Sequence, residues 1–212
     1  MIYELCTYDL IPHSVPEVER RLGAAFEERR KLSELAGSFR TEIGPLNEVT
    51  QLWAYENVDE RDRVARAVAA NETAQADIAD FVVGERSEIF VPFAFSPEIA
   101  PGDPGPFFEM RTYVYADGEL PKVSAAWEAA LPGRLAFSQP VGVLHSGIGG
   151  VNTLLHIWAY KSLDERMKVR KDARDTGLWP PLEFARKHGM PEYRLERMQN
   201  KIMIASDFSP LR

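Results

Sequence analysis

Residues 108–113 read Phe-Glu-Met-Arg-Thr-Tyr, so Glu109, Arg111 and Tyr113 fall on one side of a strand of period two. A second period-two run, 153–160, puts His156, Trp158 and Tyr160 on a common side. If the Gly149–Asn152 turn pairs Ile148 with Thr153, His145 stands opposite His156 on that same face. Such a surface offers an arginine to orient an anion or a carbonyl oxygen. It offers a histidine near a carboxylate as a general base close to neutral pH. Its aromatic rings suit the apolar body of a small ligand. His145, His156 and Arg111 are therefore the candidate catalytic residues. Glu109, Tyr113, Trp158 and Tyr160 are candidate ligand contacts, joined by Arg40, Trp53 and Tyr55 at the corresponding positions of the first half. The same face can instead be a packed sheet–sheet interface, with Glu and Arg in internal ion pairs and Trp as filler.

Other chemistries find less support. His145, His156 and Glu109 would form a two-histidine, one-carboxylate set, but their spacing is no metal motif, and Arg40 and Gln51 replace the histidines in the first half. Neither a metal nor another cofactor is expected. Cys6 lies in a strand and reads as a small buried hydrophobe. Gly147-Ile148-Gly149-Gly150 closes a hairpin rather than opening a helix, so it lacks the aligned N–H groups of a phosphate loop. No nucleophile elbow is present.

The elements that must position these residues come in two copies. Tyr3–Tyr8 recurs as Phe108–Tyr113, Trp53-Ala54-Tyr55 as Trp158-Ala159-Tyr160, and Asp59-Glu60-Arg61 as Asp164-Glu165-Arg166, all displaced by 105. Without a gap, positions 3–61 and 108–166 share 19 identities in 59. The tails match at a displacement of 113, with Phe95-Ser96-Pro97 against Phe208-Ser209-Pro210. The second copy thus carries eight extra residues, expected around 177–181. Residues 1–97 and 108–212 are the expected units. Residues 98–107, with Pro101, Pro104, Pro106, Gly102 and Gly105, form a stiff linker.

Within the first copy the spacing predicts strands near 2–8, 38–43, 48–55 and 87–92. It predicts helices from Ser14 to about Leu35, closed by Gly37, and from about 60 to 83, capped by Asp59. The fold class is α+β, in two tandem ferredoxin-like β-α-β-β-α-β units. Two such sheets packed face to face bury their open faces in a barrel-like interior. The polar and aromatic set is expected to face that interior, with Met110, Leu144, Leu155 and Ile157 turned to the helices.

The 212 residues carry 25 Lys/Arg and 32 Asp/Glu, a net charge of −7 that argues against a nucleic-acid partner. The first copy is acidic, with 18 acids and 10 bases; the second is slightly basic, with 12 and 15. No apolar run approaches the length of a membrane span. One cysteine and no basic, apolar leader after Met1 suggest a cytoplasmic protein.

Gly37–Val49, with Leu52-Trp53-Ala54-Tyr55, Asp59-Glu60-Arg61 and the opening Tyr3–Tyr8, resembles the NIPSNAP family. The resemblance covers both copies. It implies the dimeric α+β barrel architecture, a homo-oligomer, and a small-ligand-binding or protein-interaction role without a defined activity. At superfamily distance it implies cofactor-independent monooxygenases and other small-molecule enzymes that would use the barrel interior. Cys6 stands where the family usually has Arg, whereas Arg111 keeps it, which moves the expected chemistry to the second copy.

Overall fold

A computed structural model describes residues 1–212. The first copy runs β1 (Ile2–Leu10), α1 (Val15–Arg29), β2 (Glu34–Ile43), β3 (Glu48–Tyr55), α2 (Val58–Ala69) and β4 (Val82–Pro92). The second runs β5 (Phe107–Tyr115), α3 (Leu120–Leu135), β6 (Pro140–Ile148), β7 (Thr153–Tyr160), α4 (Leu163–Asp175), α5 (Pro181–Lys187) and β8 (Leu195–Ala205). The eight strands close into one barrel in the order β1-β3-β2-β8-β5-β7-β6-β4. Each copy contributes four adjacent antiparallel strands, and the seams are β2 with β8 and β4 with β6. The face-to-face pairing of the two sheets is thus completed within one chain.

An eight-stranded barrel is narrow enough for side chains to fill it. Leu5, Phe39, Leu52, Phe108, Met110 and Leu155 belong to its interior cluster, drawn from both copies. Ile99 of the linker and Leu211 join this cluster. Gly102 bonds to the tail, accepting from Arg212 N (2.9 Å) and donating to Pro210 O (3.0 Å), so linker and tail cap one end of the barrel. At the other end the interior turns polar, where Lys201 meets Glu48 and donates to Thr50 Oγ1 at 2.8 Å.

The expected faces are inverted. Met110, Leu144, Leu155 and Ile157 fill the barrel. Trp158 and Tyr160 instead pack outward with Val123, Trp127 and Leu131 of α3. Strand parity grouped the residues correctly, but both faces of these strands are buried, so parity could not say which face was inside. The expected register also shifts by two residues: His156 pairs with Val143, and His145 with Leu154. The β6–β7 pairing ends at His145, and Ser146 and Ile148 pair with β4 instead.

The first helix stops at Arg29 rather than near Leu35. Leu35 is buried in β2, and Gly37 sits in that strand beside a register irregularity rather than capping a helix. A Cβ at Gly37 would lie 2.5 Å from the Phe39 ring, so glycine is required there by close packing. The second helix is likewise shorter than expected, 58–69, and it is capped by Asn57, whose side chain accepts from Glu60 N. The expected insertion lies next to a short added helix, α5.

Candidate functional site

Between the outer face of β5 and β7 and the helices α3, α4 and α5 lies a cavity of about 340 Å³. That volume is within the range of small-molecule sites. Trp179, Pro180 and Leu182 form part of its wall, so the segment that the first copy lacks closes this pocket. Five arginines line the cavity against one glutamate, Glu183.

Glu109 anchors the floor. It has no exposed surface and accepts from Arg111 Nη1 (2.7 Å), Arg166 Nη2 (2.5 Å) and Arg170 Nη1 (3.4 Å). Burial alone would raise its pKa, but the Arg166 hydrogen bond and the charges of Arg170 and Arg111 outweigh that and hold the carboxyl below its ordinary value. Arg111 also donates through Nε to Tyr113 Oη at 2.7 Å. One carboxylate shared by three guanidinium groups leaves the surroundings positive.

Arg134 and His156 supply unused donors. Arg134 is 2% exposed, with its guanidinium carbon 4.2 Å from the Trp158 ring and Nη2 3.4 Å from Tyr160 Oη. Its Nη1 is buried without a hydrogen-bond partner. His156, also 2% exposed, is boxed edge-on by Trp127, Tyr113 and Trp158. Its Nδ1 lies 2.5 Å from Trp158 Nε1. Indole N–H only donates, so Nδ1 accepts. Burial, with Arg111, Arg170 and Arg134 nearby, pushes the imidazole well below its ordinary value. The ring is neutral, and its proton therefore sits on Nε2, which is buried without a partner. A buried donor left unpaired costs about 1–3 kcal/mol.

The first copy repeats this frame around a cavity of about 420 Å³. Arg29 lies 4.3 Å over Trp53 and 3.1 Å from Tyr55 Oη. Glu4 accepts from Arg61 and Ser87, and Trp53 Nε1 donates to Gln51 Oε1 at 3.2 Å. Burial raises Glu4, but the Arg61 and Ser87 hydrogen bonds prevail and lower it. Cys6 is buried and its thiol is pushed up to about 12, so it is no thiolate nucleophile.

The structure brings Arg111, Tyr113, His156, Trp158 and Tyr160 to one cavity with Glu109 behind it, and Trp53 and Tyr55 to the other. It leaves two expected residues outside. His145 points to the same face as His156 but packs at a tilt against Phe93, with centroids 4.9 Å apart. Arg40 faces Glu19 at 3.5 Å. Sequence reasoning missed Arg134 and Arg29, although they are identical at the displacement of 105. It also took Arg61 and Arg166 only as part of the repeated Asp-Glu-Arg triplet. Their recurrence with Glu4 and Glu109 was the available signal.

The NIPSNAP family model matches residues 3–97 and 108–210. The Dictyostelium discoideum NipSnap homolog is 29% identical over 182 residues, covering 84% of this chain and 78% of that protein. The Danio rerio NipSnap homolog 1 is 26% identical over 84% of this chain, which spans 63% of that relative's length. Among solved structures, a "putative monooxygenase" from Lactobacillus acidophilus superposes with TM-score 0.67 at 11% identity, covering 97% of this chain and 93% of its own. That likeness shows the fold. No helix is long and apolar enough to cross a membrane. With both copies matched over nearly the whole length, the chain belongs to the NIPSNAP family as a tandem pair of its domains.

Proposed function

We propose that the cavity of the second unit binds a small anionic ligand with an aromatic or otherwise apolar body. The head group accepts from Arg134 Nη1 and His156 Nε2, while the body lies among the tryptophans. The observation that carries this reading is the pair of buried, unpartnered donors on residues lining one arginine-rich cavity. The neutral imidazole donates at Nε2, which favours ligand binding over the general-base role expected from sequence. The alternative enzyme would instead use the polar end of the barrel, where a cavity of about 770 Å³ is lined by Thr7, Glu48, Met110, Thr112 and Lys201, but no buried unpartnered donor marks that end.

Calorimetric titration with naphthoate tests the reading. One site per chain is expected, with affinity falling as salt rises. Arg174→Ala, an exposed change at the rim, should weaken binding and flatten the salt dependence. No binding at millimolar naphthoate, or binding indifferent to both Arg134→Met and Arg174→Ala, would refute it. Leu46 and Val151, exposed at matching hairpin tips, support self-association, and a single-chain mass in solution would count against that.

A further inference from the structure

We propose that the first unit holds a second binding site of different selectivity, one that takes an uncharged carbonyl compound with an apolar body. The site is separate from the anion site and rests on that reading only through the shared frame. Four positions at the displacement of 105 change the chemistry: Cys6, Gln51, Ala65 and Ala69 stand where the second unit has Arg111, His156, Arg170 and Arg174. The first cavity is consequently lined by two arginines, Arg29 and Arg61, against two glutamates, Glu4 and Glu85.

Both arginines already have Nη1 and Nη2 engaged. Arg61 is spent on Glu4 and Asp62. Arg29 donates Nη1 to Ser33 Oγ at 2.7 Å and Nη2 to Tyr55 Oη, and its face covers Trp53. A carboxylate entering here would lose its hydration, find the terminal nitrogens of Arg29 already held by two hydroxyls, and share the wall with the acidic Glu4 and Glu85. Gln51 provides what remains. It is 4% exposed, its Oε1 accepts from Trp53 Nε1, and its amide NH₂ is left as a donor at the cavity wall. A neutral carbonyl oxygen fits that donor, and Phe26, Trp53 and the alanines accommodate an apolar body.

The probe is acetylnaphthalene, the uncharged counterpart of naphthoate, titrated alone and after saturation with naphthoate. One acetylnaphthalene per chain is expected, undisplaced by naphthoate. Ala65 and Ala69 are exposed, so Ala65→Arg/Ala69→Arg restores two of the second unit's cations without burying new groups. This double variant should weaken acetylnaphthalene about tenfold and raise naphthoate from one site to two. Gln51→Leu should weaken acetylnaphthalene about tenfold and leave naphthoate unchanged, a check that does not depend on the arginines. The inference is overturned if acetylnaphthalene fails to bind or is displaced by naphthoate. It is equally overturned if both variants leave acetylnaphthalene affinity unaltered, or if naphthoate occupies the first cavity of the unaltered protein. Failure of naphthoate alone would strike the anion site and leave this one standing.

Discussion

In the first unit, Arg29 gives one nitrogen to Ser33 and another to Tyr55. In the second, Arg134 keeps the contact with Tyr160, while its Nη1 and the oxygen of Ser138, the counterpart of Ser33, are both buried without partners. The two units therefore share a scaffold of Trp, Arg, Tyr and a buried Glu–Arg pair, yet only one satisfies it internally. Around the unsatisfied copy the sequence adds Arg111, His156, Arg170 and a tryptophan-bearing insertion. Duplication preserved the frame, while the residues lining the two cavities differ.

The largest expected contrast between the units concerns the buried carboxylates. Glu109→Gln leaves three arginines short of a counter-charge and should cost about 3–5 kcal/mol of stability in urea denaturation. Glu4→Gln, with one arginine and one serine as partners, should cost about 1–2 kcal/mol. Equal losses would break the comparison. Next comes the head-group contact: Arg134→Met should weaken naphthoate about 30-fold, or about 2 kcal/mol, whereas Arg29→Met should leave it unchanged.

A pH contrast follows from His156, which burial holds neutral. Its unfolded form binds a proton first, so stability falls as pH drops below about 6.5, with a slope approaching about 1.4 kcal/mol per pH unit until the folded ring titrates. His156→Gln, which copies Gln51, should flatten that decline between about pH 6.5 and pH 5 in denaturation curves. The smallest effect is expected at the rim, where Arg174→Ala should reduce naphthoate affinity about threefold at low salt and less at high salt.

Much of this arrangement was legible in the sequence. The displacement of 105 exposed the duplication, and strand parity correctly collected Glu109, Arg111, Tyr113, His156, Trp158 and Tyr160 on one side. Parity could not say that the side faces helices, because these strands are buried on both faces and lack the alternation of a solvated sheet. Leu32 and Leu35 continue the spacing of the first helix, yet Leu35 packs from a strand; a short apolar run suits either element. The pairing of Glu109 with Arg166 joins positions 57 apart, and only the folded chain brings them together. Arg134 was harder still: it lies on a helix, among apolar residues, with no motif around it.

The most direct test is a crystal structure of the protein with a bromonaphthoate, locating bromine by its anomalous signal. One bromine site per chain is expected, among Trp127, Trp158 and Trp179, with the carboxylate against Arg134 and His156. Bromine in the first unit's cavity, in both cavities equally, or within the barrel would contradict the account.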